Sequence, residues 1–128
     1  GSRGNPGPAA TGIVVLDHSS HLIHQFGRFL GTATNNDAEY LAVNDALNWI
    51  IASYPSPFPP LTFKLDSKLV VEQLNRRWKI KEPRLFNLAS SIWSLLQIHH
   101  LTATFNYIPR AQNANADTQV NLVLDQNT

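Results

Sequence analysis

Hydrophobic positions near the start of the chain fall into two extended runs, TGIVVLD at 11–17 and HLIHQFGRFL at 21–30. Three polar residues at 18–20 separate these runs, which is typical of a β-hairpin turn. Further along, LTFKL at 61–65 is a short apolar run. Residues 101–107 alternate between hydrophobic side chains and Thr or Asn, which indicates a strand with one buried face. We therefore predict four strands, of which the first two form a hairpin.

Hydrophobic residues at helical spacing predict helices between and after these strands. One face of the first helix would carry Tyr40, Val43, Leu47, Ile50 and Ile51. The proline-rich segment 54–60 must end this helix, because proline cannot continue one. A second helix opens at Asp66 and Ser67, with Asp66 as a natural N-cap; a third begins at Pro83, and the last runs from about 113 to 124. This order of elements predicts an α/β domain with a mixed sheet.

The composition is that of one compact domain spanning residues 1–128. The chain has 128 residues, 43% of them hydrophobic, which is enough for a sizeable core. Every apolar run is broken by charge, Asn or Pro before it reaches membrane-spanning length, and the N-terminus lacks the pattern of a signal peptide. The absence of cysteine excludes disulfides and thiolate metal sites and suits a reducing compartment, so we expect a cytoplasmic protein.

Positive charge is concentrated in one short segment, although the net charge of the chain is only +1. Half of the ten Lys and Arg residues surround Trp78, namely Arg76, Arg77, Lys79, Lys81 and Arg84. One interpretation is a solvated helix end, where cations favour the carbonyl terminus. The other is a phosphate-binding patch with an aromatic platform. The segment alone does not decide between them.

Three polar motifs each deliver one acid: Glu39 in TNNDAEY, Asp66 in LDSKLVV and Asp117 in PRAQNANAD. Taken singly, each acid has a structural explanation, because acids favour the first turns of helices and Asp is a common N-cap. However, strand-to-helix junctions at one edge of an α/β sheet converge on the crevice beyond the strand ends. Three acids gathered there would repel one another unless cations neutralised them, which would make a metal site.

These motifs, with GSRGNPGP at the start and WKIKEPRL at 78–85, make the chain similar to type 1 ribonuclease H over almost its whole length. The resemblance implies a ribonuclease H-like mixed sheet, in which an antiparallel hairpin and parallel strands are flanked by helices. In that family the opening motif is Asp-Gly-x-Ser-Arg-Gly-Asn-Pro-Gly, and this sequence begins at the x. We therefore expect the family's first strand and its first metal-binding Asp to be absent from the chain.

The resemblance also implies a reaction and a cofactor. Glu39, Asp66 and Asp117 would be catalytic residues that bind two Mg²⁺ ions, with Mn²⁺ as a substitute, and the chain would hydrolyse the RNA strand of RNA–DNA hybrids. Because the first acid is missing, we expect cleavage to be weak or absent and hybrid binding to be partly kept.

Nucleic-acid contacts are implied for three groups of residues. Asn5, Asn35 and Asn36 would contact the minor groove of the hybrid, although Asn5 also fits a turn and the Asn pair a helix cap. Ser67, Arg110 and Asn113, which belong to the motifs that carry Asp66 and Asp117, would also contact the nucleic acid. The phosphates of the DNA strand would be held by Arg76, Arg77 and Lys79, beside Trp78.

The missing strand is central in the family's sheet, so its loss would leave two open edges, which soluble proteins avoid. The hairpin would pair with LTFKL directly, borrow a strand from another molecule, or dimerise through the edge, and we hypothesise self-association. Two other functions remain open: a nucleic-acid-binding module without catalysis, and the ribonuclease H domain of a larger reverse-transcriptase-like protein.

Overall fold

The computed structural model describes residues 1–127, apart from the side chain of Asp117. Its elements are β1 (Gly7–Leu16), β2 (Leu22–Ala33), α1 (Asn35–Ser53), β3 (Leu61–Leu65), α2 (Lys68–Leu74), α3 (Pro83–Ile98), β4 (Ala103–Tyr107), a 3₁₀ turn (Arg110–Asn113) and α4 (Ala114–Asn127). The order is the one that the hydrophobic pattern predicts. Both hairpin strands are longer than predicted, and the 3₁₀ turn before α4 has no counterpart in the prediction. No helix in the part of the chain that the structure describes is long and apolar enough to cross a membrane.

The strands form two separate pairs. β1 and β2 are antiparallel, whereas β3 and β4 are parallel, with Leu61 opposite Ala103. Over residues 1–127 these pairs are not joined into one sheet. The predicted alternative in which the hairpin pairs directly with 61–65 is therefore wrong for the described residues. Instead, Gly1 exchanges two backbone hydrogen bonds with Ala10, of 2.8 and 2.9 Å, so the N-terminus lies beside β1.

One hydrophobic core nevertheless joins the two pairs of strands. Ile13 of β1 is buried in the same cluster as Phe63 of β3 and Phe105 of β4, whose rings stack with centroids 5.2 Å apart. The inner faces of α1, α2 and α3 contribute most of the rest, including Tyr40, Val43, Leu47, Val70, Val71, Leu74, Leu85, Ala89 and Ile92. Burial of these faces, at about 25 cal/mol for each Å² of apolar surface, is the main force that holds the helices on the strands.

Helix α4 packs on the hairpin through a second, smaller cluster. Val120 and Leu124 are buried against Ala10 of β1. The backbone of α4 approaches so closely that a Cβ atom at Gly12 would collide with the carbonyl oxygen of Ala116. Glycine at this position therefore lets the helix and the strand meet.

The starts of α1 and α2 follow local capping rules, but the residue that caps α2 is not the predicted one. Thr34 and Asp37 form a reciprocal capping box at the start of α1, with two side chain–backbone hydrogen bonds of 3.1 Å. At the start of α2 the N-cap is Ser67, whose hydroxyl accepts a 3.4 Å hydrogen bond from the backbone nitrogen of Val70. The prediction that Asp66 caps this helix is wrong, because its carboxylate faces the segment before α4 instead.

Candidate metal and nucleic-acid site

Asp66 lies directly after β3, and its side chain is only 9% exposed. Its Oδ2 atom is 3.3 Å from the Nδ2 atom of Asn113, which donates a hydrogen bond, and 3.7 Å from the Nε atom of Arg110. Arg110 and Asn113 are the first and last residues of the 3₁₀ turn that follows β4. Because β3 and β4 are parallel, the segments that leave them meet at the same edge of the sheet. The structure thus brings together a predicted metal-binding residue, Asp66, and two predicted nucleic-acid-binding residues.

Glu39 lies half-buried near the start of α1, and its neighbour Tyr40 ties this helix to α2. The hydroxyl of Tyr40 donates a 2.6 Å hydrogen bond to the Oε1 atom of the buried Gln73. Burial raises the pKa of Tyr40 to about 12, so the hydroxyl keeps its proton and remains a donor at neutral pH. The bond therefore holds the part of α1 that carries Glu39 against the helix that follows Asp66.

The chemistry of the predicted acids suits a hard divalent cation. The oxygens of Glu39 and Asp66 are the ligand type that Mg²⁺ prefers. The third predicted acid, Asp117, falls in α4, and its side chain lies outside the described residues. Among the side chains that the structure describes there is no group of three or more His, Asp or Glu residues that could hold a metal ion. The three-acid site therefore stays a prediction, and the structure defines the neighbours of one of its acids, Asp66.

Two of the predicted minor-groove residues meet at the start of α1. The Oδ1 atom of Asn5 accepts a 3.1 Å hydrogen bond from the backbone nitrogen of Asn35. In turn, the Oδ1 atom of Asn35 accepts hydrogen bonds from the backbone nitrogen and the hydroxyl of Ser2, at 2.7 and 3.1 Å. Asn36 follows in the same helical turn. Because these bonds use the amide oxygens as acceptors, the amide nitrogens are the groups that could donate to a ligand.

The basic segment after α2 is exposed, and the two arginines at its start are each held by a neighbour. Arg77 forms two hydrogen bonds of 2.7 Å to the carboxylate of Glu72, which lower the pKa of that carboxyl group. The guanidinium of Arg76 stacks 3.8 Å from the ring centroid of Trp93. Beside them, Trp78 is 45% exposed, and Lys79 is also on the surface. An exposed aromatic side chain among cations is the composition expected of a phosphate-binding surface.

Arg84 differs from the other cations of this segment. Its Nε atom lies 2.8 Å from the Oδ1 atom of Asp37, which joins the start of α3 to the capping box of α1. Burial raises the pKa of Asp37, but the hydrogen bonds from Arg84 and Thr34 outweigh this effect and leave the pKa below its ordinary value. Arg84 therefore contributes to the scaffold that joins the two helices.

Glu72 and Trp93, which hold the exposed Arg77 and Arg76, could not be identified as their partners from the sequence. Glu72 and Arg77 are five positions apart, a spacing that does not bring side chains together on a helix. Trp93 carries no signal beyond its place in a predicted helix. The capping box at Thr34 and Asp37, by contrast, has a sequence signal, since Thr followed three residues later by an acid resembles the start of many helices.

Comparison with known proteins identifies the family of the chain. The sequence model of the family described as "Reverse transcriptase-like" matches residues 1–123. The bifunctional protein Rv2228c of Mycobacterium tuberculosis is 39% identical over 127 residues, which are 98% of this chain and 34% of that protein. Ribonuclease HI of Halobacterium salinarum is 36% identical over 124 residues, which are 97% of this chain and 60% of that protein. The chain thus spans about a third of the mycobacterial relative and less than two thirds of the halobacterial one.

Two solved structures have closely similar folds. LC11-RNase H1, solved in complex with an RNA/DNA hybrid, superposes with a TM-score of 0.92 at 34% identity, covering 98% of this chain and 92% of that one. RNase H1 from Halobacterium salinarum superposes with a TM-score of 0.88 at 35% identity and the same coverage. The predicted fold, an antiparallel hairpin and a parallel strand pair flanked by helices, is confirmed.

Proposed function

Because the chain belongs to the reverse transcriptase-like, ribonuclease H-like family, we propose that it hydrolyses the RNA strand of RNA–DNA hybrids. The observation within this chain that best supports the proposal is the approach of Asn113 and Arg110 to Asp66 at the sheet edge. The fold is shared with a ribonuclease H1 that was solved bound to such a hybrid. Activity, substrate and metal requirement are all part of this proposal.

Glu39, Asp66 and Asp117 are the residues that would hold two Mg²⁺ ions, or Mn²⁺ in their place. Bound ions of this kind supply an activated water and stabilise the leaving oxygen of a phosphodiester. The donor chemistry fits, since all three residues are carboxylates, the ligand type that hard cations select.

The neighbours of Asp66 would orient its carboxylate for that role. Asn113 donates a hydrogen bond to Oδ2, which restricts rotation of the carboxylate. Arg110 places a cation 3.7 Å from the same oxygen, which reduces repulsion between acids that approach one another. Ser67 is the N-cap of α2 and so would act on the site by fixing the backbone that follows Asp66.

Recognition of the hybrid would be shared between two surfaces. Asn5, Asn35 and Asn36 carry amide nitrogens that can donate to acceptor atoms in the wide minor groove, where RNA displays its 2′-hydroxyls. The phosphates of the DNA strand would be bound by Arg76, Arg77 and Lys79, with Trp78 beside them. Phosphate contacts position the hybrid without selecting its sequence, so cleavage should depend little on base sequence.

A matched set of labelled substrates tests the proposal. A hybrid, a DNA duplex and an RNA duplex of one sequence are incubated with the chain in Mg²⁺, in Mn²⁺ and in a chelator. We expect weak cuts, only in the RNA strand of the hybrid and only with metal. Equal cleavage of all three substrates, or cleavage in chelator, would contradict the assignment.

A second candidate is a hybrid-binding module without catalysis. The observation that favours it is the contact of Asp66 with Arg110, because a largely buried acid beside a cation has part of its charge compensated without a metal. Binding of the hybrid with no cleavage in either metal would establish this alternative in place of the enzyme.

A further inference from the structure

The turn that follows α2, formed by residues 72–78, is closed by backbone hydrogen bonds. The backbone nitrogen of Arg77 donates to the carbonyl of Glu72 at 2.9 Å, and that of Arg76 donates to the carbonyl of Gln73 at 3.0 Å. These bonds define a Schellman motif, which places a left-handed residue, usually glycine, just after the helix cap. Here that residue is Arg76, with φ of 62°. A long side chain is thus kept at a position where the backbone favours glycine.

The side chain of Arg76 is fixed by Trp93 of α3. Its guanidinium carbon lies 3.8 Å from the centroid of the indole ring, a distance at which a cation is attracted to the ring face. The ring is itself held in place, because Trp93 donates a 3.1 Å hydrogen bond from Nε1 to the carbonyl of Leu74. The left-handed turn and the stack together hold the charge of Arg76 at one location.

The side chain of Arg77 is fixed by Glu72. Nε and Nη2 bind the two carboxylate oxygens at 2.7 Å each, so one edge of the guanidinium is used by this pair. The acid side chain is 15% exposed and the arginine side chain 58% exposed, which means that the pair is anchored at Glu72 and presents Arg77 outward. The opposite edge of a guanidinium bound in this way carries further N–H donors, which a second acceptor can use.

A groove adjoins Arg77. It has a volume of about 400 Å³ and lies between the end of α2 and β4, where Asn75, Arg77, Asn106 and Tyr107 are among its lining residues. Asn75 ties the two sides together by donating a 2.8 Å hydrogen bond from Nδ2 to the carbonyl of Phe105. An oriented cation therefore stands at a groove whose two walls are linked.

We propose that Glu72 and Trp93 are positioning residues that hold Arg77 and Arg76 in place to bind phosphates of a nucleic-acid backbone. The inference rests on the proposed function, because the hybrid supplies that backbone. An arginine fixed before binding loses less conformational entropy when it meets a phosphate than a free one does. Glu72 thus favours binding although it carries the same sign of charge as the ligand. This distinguishes positioning from simple electrostatic attraction.

The test compares three variants by fluorescence anisotropy with a labelled hybrid in chelator, over a range of salt concentrations. Glu72→Gln removes the acid that holds Arg77, Arg77→Ala removes the cation, and Glu82→Gln is a control that removes the same charge from an acid that is 54% exposed. We expect Glu72→Gln to weaken binding several-fold. We also expect the slope of log affinity against log salt to fall by about one, as in Arg77→Ala. Glu82→Gln should bind as tightly as the unmodified chain or more tightly.

Arg77→Lys is a second substitution at the position of Arg77. Because this side chain is exposed, we expect the substitution to leave folding unchanged. Lysine keeps the charge but cannot form the two-pronged contact with Glu72, so we expect its binding to fall toward that of Arg77→Ala. If Glu72→Gln binds as tightly as Glu82→Gln, or Arg77→Lys binds as the unmodified chain does, the positioning role is wrong. Failure of the unmodified chain to bind the hybrid would instead overturn the proposed function itself.

Discussion

The side-chain nitrogen of Asn113 lies 3.3 Å from a carboxylate oxygen of Asp66, although 47 positions separate the two residues along the chain. The contact exists because β3 and β4 are parallel and end at the same edge, where Asp66 leaves one strand and the 3₁₀ turn follows the other. Side chains at such an edge are oriented by both segments, which is the arrangement that a metal-binding carboxylate requires.

Asn113→Ala should raise the metal concentration that cleavage requires. Loss of a hydrogen bond to a metal-binding carboxylate typically costs about ten-fold or more in metal affinity, so the Mg²⁺ concentration for half-maximal activity should rise by about ten-fold. Gln112→Ala, at the exposed neighbouring position, is the matched control. Identical Mg²⁺ dependence in the two variants would show that Asn113 does not orient Asp66.

Asp37→Asn should destabilise the fold in a pH-dependent way. The substitution weakens both the capping box and the ion pair with Arg84, and we expect a loss of about 1 to 2 kcal/mol in the free energy of unfolding at neutral pH. The pKa of Asp37 is lowered from 3.8 in the folded chain, so its stabilising effect is complete at neutral pH and is lost as the pH falls through the folded pKa.

Urea denaturation at neutral pH and at about pH 3 measures this effect. The difference in the free energy of unfolding between the unmodified chain and Asp37→Asn should shrink at the acidic pH. A difference of the same size at both pH values would mean that the charge of Asp37 contributes nothing.

Tyr40→Phe should destabilise the chain without altering its charge. The substitution removes the donor that satisfies Gln73 in the core, and a buried acceptor left without its partner costs about 1 to 3 kcal/mol. Tyr107→Phe is the matched control, because Tyr107 is 50% exposed and its change should stay within about 0.5 kcal/mol. Chemical denaturation compares the two, and equal effects would contradict the role assigned to the buried hydrogen bond.

The chain should associate with itself in solution. Over residues 1–127, β1 pairs only with β2 and β3 only with β4, apart from the contact of the N-terminal residues with β1. Unpaired strand edges are templates for pairing with a second copy. We therefore expect the molar mass measured by light scattering to rise with concentration. A constant monomeric mass up to high concentration would contradict this prediction.

The order of elements could be predicted because each relies on local information. Periodicity marked the helices, Pro83 marked the start of α3, and the alternation in 101–107 marked β4. The resemblance to type 1 ribonuclease H supplied the site residues, and parallel strand ends explain why Asp66 meets Arg110 and Asn113.

Other features depend on tertiary contacts that no local pattern records. Asp66 and Ser67 are both good helix caps, and only the approach of the 3₁₀ turn decides that Ser67 takes that role. The Glu72–Arg77 pair spans a turn in which Arg76 has a left-handed backbone, and the side chain of Arg76 stacks on Trp93, a residue of another helix. The separation of the strands into two pairs likewise depends on which edges meet in space.

Direct titration with Mn²⁺, monitored by calorimetry, tests whether Glu39, Asp66 and Asp117 share metal ions. We expect saturable binding by the unmodified chain and a loss of about ten-fold or more in affinity for each of Glu39→Gln, Asp66→Asn and Asp117→Asn. Asp125→Asn, at an acid paired with Arg3 on the surface, should bind as the unmodified chain does. No binding by the unmodified chain, or equal binding by all four variants, would contradict the metal site.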